Sequence, residues 1–467
     1  MIGRRGFLGG GAAALIAGAA PRRLRARSES DVIVIGAGLA GLAAARVLEQ
    51  AGAGVTVIEA ENRVGGRLHT LRHLPGAPEA GGIQVGSGYR ILRRIARQLG
   101  VGLDDSPGAG AGISQQPGNY YHIDGVGSTS AEWKSSDANR LPAPLRAIEP
   151  ARLASAFYRH LPQFDSPSGW LDAPPALDIS LAQMLRDNGA GSEAMRLIEA
   201  NLNGNSLAGM SQLHLARTLA IYRSQPGPVS TIVGGSQALP EAMAASLSSP
   251  PRLGVRVEAI EEDAAAVRIA AGGTALRAAQ AICTIPFAAL RNVPIESPLS
   301  PGMARMIAGL PYTRASFAYI RARSAFWRED GLPETLWSDD PLIGRVFVLG
   351  DDPAMLKLWT TGAGADMLDR MPEDAATRAI VGRIEAMRPS ARGQLGDIEF
   401  YSWQKSPSAG GIYHHIGTGM AADLASATRF EGRRVHFAGE HLAQGSSGME
   451  AALESGERAA HRVLERL

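Results

Sequence analysis

The stretch DVIVIGAGLAG, residues 31–41, decides the fold of this chain. Four β-branched residues follow its first aspartate, and such a run is typical of a strand buried on both faces of a parallel sheet. The glycines come directly after this run, and residues 42–50 have the composition of a helix. Gly36 permits a tight turn, Gly38 lets backbone approach a pyrophosphate, and Gly41 lets the helix pack closely on the strand. The free N–H groups at the start of the helix would then face the phosphates.

A second apolar run, residues 55–58, ends in Glu59. The carboxylate lies about twenty residues after the glycines, where a dinucleotide-binding fold needs an acceptor for ribose hydroxyls. A negative charge at this place disfavours the 2′-phosphate of NADP. A glycine motif alone is weak evidence, but both strands, the helix and the acid occur here in the required order. This order predicts a Rossmann-like dinucleotide-binding unit.

An arginine-flanked glycine pair follows Glu59 and favours FAD over a nicotinamide cofactor. The segment is AENRVGGR, residues 60–67. It closely resembles the second flavin fingerprint of the flavin-containing amine oxidase family, which includes monoamine, polyamine and L-amino-acid oxidases. In that family the segment lies along the pyrophosphate and ribityl chain, and Arg63 and Arg67 match the pattern by position. A basic surface turn is the alternative interpretation.

The resemblance covers nearly all of the chain after its first 30 residues. Residues 79–84 resemble the family segment that passes beneath the flavin, and residues 232–239 resemble the return into the FAD domain. Residues 435–441 strongly resemble the last FAD motif, and they lead into a helix whose N-terminal dipole would stabilise reduced flavin. The resemblance implies that the cofactor-binding residues are Gly36, Gly38, Ala40, Gly41, Glu59, Ala60, Arg63, Gly65, Gly66, Arg67, Gly82, Val257, Gly439, Glu440 and Met449.

The resemblance also implies the fold class and the domain order. We expect an α/β fold in which a Rossmann-like FAD-binding domain of the GR2 type is interleaved with an α+β substrate domain. The FAD-binding domain is predicted at residues 31–103, 229–307 and 400–467, and the substrate domain at residues 104–228 and 308–399. Because no repeat or long low-complexity linker separates these segments, we expect the two domains to pack rigidly.

Aromatic residues of the C-terminal third resemble the family segment that faces the flavin. In this alignment Trp403 belongs to that segment, and Tyr413 is one wall of the aromatic pair that guides an amine toward the flavin. A tyrosine of the core is the alternative for Tyr413. Some relatives carry a cysteine bonded to the flavin where this chain has Ile412. FAD is therefore expected to be bound noncovalently.

Three positions of the substrate side depart from the family pattern. Gly448 stands where the second aromatic wall is expected, which leaves room for a bulky substrate. Phe317 stands where the family has a lysine that is bridged by water to the flavin, so oxygen reactivity is in doubt. A dehydrogenase that passes electrons to a periplasmic carrier is then plausible. Gln84 replaces an arginine that often holds the carboxylate of amino-acid substrates, and it favours amines without a carboxylate.

The function that the resemblance implies is FAD-dependent oxidation of a small-molecule amine. The α-carbon gives a hydride to flavin N5, the imine is hydrolysed, and electrons pass to O2 or to a periplasmic carrier. The substrate side of the site is assigned to Tyr413, Phe317, Gly448, Trp403 and Gln84. Two alternatives stay open: a desaturase or other oxidoreductase acting on a bulky apolar non-amine substrate, and a catalytically decayed FAD-binding relative.

The N-terminus has the pattern of a twin-arginine signal peptide. Arg4 and Arg5 precede a Gly/Ala-rich apolar stretch that ends in a small-x-small cleavage pattern at residues 17–19. Residues 1–30 are therefore predicted to be a signal peptide and linker, which implies export by the twin-arginine translocase to the periplasm or beyond. This route carries folded proteins, which suits a chain that must first acquire its cofactor.

Composition narrows the remaining classes. The chain has 467 residues, enough for two domains, and its net charge of +2 gives no indication of nucleic-acid binding. Cys283 is the only cysteine, which excludes a disulfide within the chain and a cysteine-based zinc site. No metal is expected. The sequence leaves the oligomeric state open, a homodimer included.

Overall fold

The computed structural model describes residues 26–106 and 118–467. The predicted signal-peptide motifs at residues 4–5 and 17–19 lie outside the described residues. The strands are β1 (Ala26–Ile35), β2 (Val55–Ile58), β3 (Leu103–Asp104), β4 (Tyr120–Ile123), β5 (Val126–Thr129), β6 (Thr231–Ile232), β7 (Val257–Glu262), β8 (Val267–Ala271), β9 (Thr274–Cys283), β10 (Ile295–Glu296), β11 (Ala315–Ala322), β12 (Leu336–Ser338), β13 (Arg345–Asp351), β14 (Ala354–Thr361), β15 (Leu395–Ser402) and β16 (Val435–Phe437).

The α-helices are α1 (Leu39–Gln50), α2 (Arg90–Leu99), α3 (Leu181–Asp187), α4 (Ser192–Ala200), α5 (Gln212–Ser224), α6 (Ala238–Ala245), α7 (Phe287–Leu290), α8 (Pro301–Gly309), α9 (Gly362–Arg370), α10 (Glu373–Met387), α11 (Ala421–Arg429) and α12 (Gly448–Leu464). Among the described residues, none of these helices combines the length and the apolar character that a membrane span requires.

The first sheet contains the predicted β1–α1–β2 unit. Strand β1 lies between β2 and β9 and runs parallel to both. On the other edge of β9, its first half pairs with β8 and its second half pairs in parallel with β16. Strand β1 begins at Ala26 rather than at residue 31, because the ten-residue strand β9 offers it partners from Ala275 onward.

Both faces of β1 are covered, as its uninterrupted apolar pattern predicts. Val32 and Val34 face the helical layer that contains α1 and α12, whereas Ile33 and Ile35 face the core beneath β7–β9. Helices α1 and α12 approach very closely, since a Cβ atom at Gly456 would lie only 2.2 Å from the carbonyl oxygen of Ala40. This contact packs the middle of α12 against the first turn of α1.

The second sheet has the strand order β15-β11-β14-β13-β12-β4-β5. Its neighbours are antiparallel except for β12 and β4, which pair in parallel. The register places Tyr401, Phe317, Trp359 and Arg345 opposite one another on four successive strands, so their side chains share one face of the sheet. Helices α3, α4 and α5 supply a separate apolar cluster beside this sheet.

Candidate active site

One cavity of about 1180 Å³ joins the first sheet to the second sheet and its helices. Its floor is formed by the glycine turn after β1, the residues after β2 and the N-terminus of α12. Its far end is lined by side chains of α3–α5 and of β13 and β14. The cavity is lined by these predicted site residues: Gly36, Gly38, Ala40, Glu59, Ala60, Gly65, Gly66, Arg67, Gly82, Gln84, Val257, Trp403, Tyr413, Gly439, Glu440, Gly448 and Met449.

The glycine turn has the geometry that a phosphate cradle requires. Gly36 has a φ of +103°, a conformation that glycine adopts without strain. A Cβ atom at Gly41 would lie 1.9 Å from the carbonyl oxygen of Gly36, so no other residue fits there. Gly38 precedes α1 and is open on its cavity side. A Cβ atom at Gly38 would lie 4.0 Å from the nearest atoms, which belong to Gly65 and Gly66. The two glycine motifs therefore form one continuous surface.

Glu59 lies at the end of β2, at the wall of the cavity. One carboxylate oxygen accepts the N–H of Ala37 at 2.8 Å, and the other accepts the N–H of Glu61 at 2.8 Å. Burial raises the pKa of Glu59, and these two hydrogen bonds partly offset that effect. The carboxylate is thus held in a single orientation at the place where a ribose hydroxyl needs an acceptor.

Arg67 and Glu440 form a partly buried ion pair between residues far apart in the chain. The Arg67 guanidinium donates to a Glu440 oxygen at 3.0 Å and to the carbonyl of Ile412 at 3.1 Å. The second Glu440 oxygen lies 2.7 Å from Nδ1 of His414. Burial favours a neutral Glu440, but the interactions with His414 and with the Arg67 guanidinium prevail and hold the pKa of this carboxyl well below its usual range. An ionised Glu440 therefore fixes the position of Arg67 in the cavity wall.

Arg63 and Gly41 do not line the cavity. The Arg63 guanidinium donates to the carbonyls of Gly66 at 2.8 Å and Leu68 at 3.0 Å, and it pairs with Glu61 at 2.8 Å. Arg63 therefore shapes the glycine loop from behind rather than facing a ligand. Arg63 and Arg67 flank the same glycine pair, and their spacing in the sequence does not show which of them faces the cavity and which supports the loop.

The space beside Gly448 is occupied by a tyrosine from another element. Gly448 has a φ of +60°, and a Cβ atom there would lie 2.8 Å from the hydroxyl oxygen of Tyr89. Tyr89 is the residue that precedes α2, and burial raises its pKa to about 12. The family has an aromatic residue at this wall and this chain has Gly448, but Tyr89 brings an aromatic side chain to the same space. The sequence analysis did not single out Tyr89.

Tyr413 and Trp403 have different environments. Tyr413 lines the cavity, and burial raises its pKa to about 12, so its hydroxyl stays protonated. Trp403 is 1% exposed, and its Nε1 donates to the carbonyl of Ala80 at 2.6 Å, which holds the segment leading to Gly82. Cys283 lies in β9 away from the cavity lining, so no cysteine is available for a thioether to a flavin.

Phe317 is fully buried and does not reach the cavity, but a lysine lies beside it. Lys357 is on the neighbouring strand β14, and its Nζ lies 4.3 Å from the centre of the Phe317 ring. This Nζ donates to the carbonyl of Glu79 at 2.7 Å. Burial lowers the pKa of Lys357 to about 7. Lys357 therefore places beside Phe317 an amino group that is charged in only part of the population at neutral pH. Its signal in the sequence is the one lysine in the otherwise apolar run of residues 354–359.

Gln84 lines the cavity and is exposed to it. Arg345, on β13, also lines the cavity, and the sequence patterns gave no indication of it. Its Nη2 donates to the carbonyl of Asn201 at 3.1 Å and to Oδ1 of Asn203 at 2.8 Å. Within residues 26–106 and 118–467, no group of three or more His, Cys, Asp or Glu side chains is arranged to hold a metal ion.

Comparison with known proteins decides the family. Residues 39–464 match the family model described as flavin containing amine oxidoreductase. The chain belongs to this family. The fold class, a Rossmann-like FAD-binding domain with a substrate domain, is confirmed by the solved structures it resembles. FAD is its cofactor, and the chain is an FAD-dependent oxidoreductase.

Relatives of this amine oxidoreductase include amino-acid and amine oxidases. The flavin-dependent L-tryptophan oxidase RebO of Lentzea aerocolonigenes is 27% identical over 483 residues, which cover 94% of this chain and 98% of that protein. The L-amino-acid oxidase of Mus musculus is 25% identical, with 94% of this chain and 71% of that protein covered. Cyclohexylamine oxidase from Brevibacterium oxydans IH-35A superposes with a TM-score of 0.76 at 25% identity, over 94% of this chain and 99% of that chain.

The residues present fit FAD. The glycine surface offers backbone N–H groups to a pyrophosphate, Glu59 offers an acceptor to a ribose, and Val257 lines the end where an adenine would lie. Arg67 supplies a positive charge to the same wall. The N-terminus of α12 adds a positive dipole end at Gly448 and Met449.

Proposed function

We propose that this enzyme oxidises a primary amine that lies between the flavin and the aromatic face of the second sheet. The observation that carries the proposal is one continuous cavity that joins the nucleotide cradle to a chamber lined by Tyr413, Trp359 and Phe347. When bound, FAD supplies the acceptor for a hydride from the α-carbon of the amine. The chamber walls exclude water and orient that carbon.

Aromatic side chains would bind the amine in its reactive, neutral form. Tyr413 keeps its hydroxyl protonated, because burial raises its pKa to about 12, so it adds no negative charge that would favour an ammonium ion. His214 also lines the cavity, and burial lowers its pKa well below the ordinary value, so it carries no charge at neutral pH. Neither side chain adds a negative charge that would favour the ammonium form, and the ionised Glu440 nearby is paired with Arg67.

We propose O2 as the electron acceptor. A positive charge near the flavin favours electron transfer to O2, and Lys357 places a cation against the face of Phe317. The lysine is fully buried, and its pKa of about 7 leaves part of the population charged at neutral pH. The neighbouring strand thus compensates for the phenyl ring at position 317.

Anaerobic titration of the purified yellow protein with an amine panel, followed by air, tests both proposals. Amines should bleach the flavin absorbance, and air should restore it within seconds. Bleaching by polyenes or alcohols instead of amines would replace this function with a desaturase or related activity. A flavin that no small molecule reduces would mark a decayed site, and slow recovery in air with fast recovery by an artificial carrier would mark a dehydrogenase.

We also propose that residues 1–30 direct export by the twin-arginine route to the periplasm. The support is the paired Arg4 and Arg5 before an apolar Gly/Ala-rich stretch. A reporter fused to these residues should be exported by bacteria, and replacing both arginines by lysine should retain it in the cytoplasm. Export of the double-lysine variant at the unmodified level would contradict this proposal.

A further inference from the structure

Arg345 points its guanidinium into the substrate chamber from β13. The register places it opposite Trp359 of β14, on the face that carries Phe347. Its Nη2 is held by the carbonyl of Asn201 and by Oδ1 of Asn203. Asn201 is itself anchored, because its Oδ1 accepts the indole N–H of Trp337 at 2.7 Å. The guanidinium plane is therefore fixed by the protein before any ligand arrives.

The charge of Arg345 has no acidic partner in the described part of the chain, where no Asp or Glu oxygen lies within ion-pair distance of it. Burial lowers its pKa, and the Tyr413 hydroxyl is the neighbour that partly opposes this effect. Arg67 and Arg388, by contrast, pair with Glu440 at 3.0 Å and with Asp330 at 2.6 Å. The buried Arg217 also has no acid, and its Nη2 donates to the carbonyls of Ala443 and Ser446. A shielded guanidinium without an acid is unfavourable unless a ligand supplies the anion.

The hydrogen-bonding capacity of Arg345 is only partly used. Both of its hydrogen bonds to described protein atoms come from Nη2. Nε and Nη1 remain available, and Arg groups bind carboxylates through two such parallel donors. Nε and Nη1 of Arg345 thus provide two donors in the arrangement that a carboxylate subsite requires.

We propose that Arg345 binds the carboxylate of the substrate, so that the amines this enzyme oxidises are amino acids. The inference rests on the proposed function and specifies its substrate class. Gln84 is neutral and by itself favours amines without a carboxylate. The cation that a carboxylate requires is supplied instead by Arg345 of β13. The α-carbon of the substrate then lies between this arginine and the flavin side of the chamber.

The surroundings of Arg345 also define the side chain of that amino acid. Leu202 lies between Asn201 and Asn203, the two residues that hold the guanidinium. Leu202 is also part of an apolar wall of the cavity. The wall consists of Met184, Leu185, Ile198, Leu202, Leu215 and Ile221. A carboxylate on Arg345 therefore places the substrate side chain against hydrocarbon, which selects a bulky apolar or aromatic group.

Matched pairs of compounds test the inference on the flavin-loaded enzyme. The pairs are L-phenylalanine with 2-phenylethylamine and L-tryptophan with tryptamine, each tested by anaerobic flavin reduction. The amino acid should half-saturate the enzyme at a concentration about 10- to 100-fold below that of its amine, as expected for a charged hydrogen-bonded contact. Benzoate should perturb the flavin absorbance spectrum, whereas benzyl alcohol should not, and this binding readout needs no turnover.

Variants at position 345 separate charge from geometry. Arg345→Met should abolish benzoate binding and the preference within each pair, while Arg345→Lys should retain part of both. Methionine is similar in length and removes an unbalanced buried charge, so the fold is expected to persist, with flavin content as the check. Arg378→Met changes an exposed arginine of α10 and should leave the preference unaltered.

Two results separate failure of this inference from failure of the proposed function. Equal use of both members of each pair, or a preference that survives in Arg345→Met, would overturn the carboxylate subsite while leaving amine oxidation intact. A wild-type flavin that neither amines nor amino acids reduce would overturn the proposed function. Benzoate binding lost in Arg345→Met would still support the subsite in that case.

Discussion

Replacing Lys357 by methionine should change the pH dependence of stability in a defined direction. The lysine side chain is 3% exposed, and its pKa falls from the ordinary value of 10.5 to about 7 because burial disfavours the charged form. Between these two values the unfolded chain binds more protons than the folded protein. The native state therefore gains stability as the pH rises from 7 toward 10.5 and bears the full penalty below pH 7.

The magnitude follows from the two pKa values. At about 1.4 kcal/mol for each tenfold change in protonation, the full penalty is about 5 kcal/mol. Roughly 2 kcal/mol of it should disappear between pH 7 and pH 9. Methionine has a similar length and no charge, and the Glu79 carbonyl keeps the Tyr319 hydroxyl as a donor at 2.8 Å. Loss of the ammonium therefore leaves no unsatisfied acceptor.

Urea unfolding of the flavin-loaded proteins at both pH values provides the assay. The free energy of unfolding of Lys357→Met minus that of wild type should be about 2 kcal/mol larger at pH 7 than at pH 9, so the variant gains most at the lower pH. Lys134→Met is the control, since Lys134 is exposed and should show no such difference. A Lys357→Met effect that is equal at both pH values would refute the assignment of a neutralised, buried lysine.

Three further substitutions test the site. Gly41→Ala should give a protein purified without its yellow colour, because the new methyl group would lie 1.9 Å from a carbonyl oxygen. Gly191→Ala is the control and should keep the flavin, because no atom lies within 4 Å of the Cβ position there. Glu440→Gln should weaken FAD binding by roughly 10-fold or more in reconstitution of the apoprotein, since its arginine partner loses its acid. An unchanged dissociation constant would count against that role. Gly448→Ala should lower stability by about 1–3 kcal/mol through strain and contact with the Tyr89 hydroxyl, and adding Tyr89→Phe should restore part of it in thermal unfolding.

Local motifs made the dinucleotide-binding fold and its cofactor predictable. The strand, the glycine turn and the acid at Glu59 are adjacent in sequence, and each acts through backbone geometry that residue type strongly restricts. Gly41 shows this most directly, because one Cβ atom would overlap a neighbouring carbonyl. The family resemblance extended this prediction to Glu440, whose ion pair with Arg67 joins segments 373 residues apart.

The substrate side was less predictable, because it depends on which strands become neighbours. Lys357 lies beside Phe317 only through the β11–β14 register, and Tyr89 reaches Gly448 only through the packing of α2 on α12. Comparison with the family pattern shows that an expected side chain is missing at a position. It does not show which residue of another helix or strand lies in the same space.

The amino-acid sequence by itself determined the dinucleotide unit, the flavin and the family, because short-range steric demands of a phosphate-binding turn leave few residue choices. Only the tertiary structure decided that Arg63 supports the loop while Arg67 faces the cavity, and that Arg345 has no acid beside it among the described residues. Charge balance inside a protein depends on distances between residues remote in sequence, and folding alone brings them together or keeps them apart.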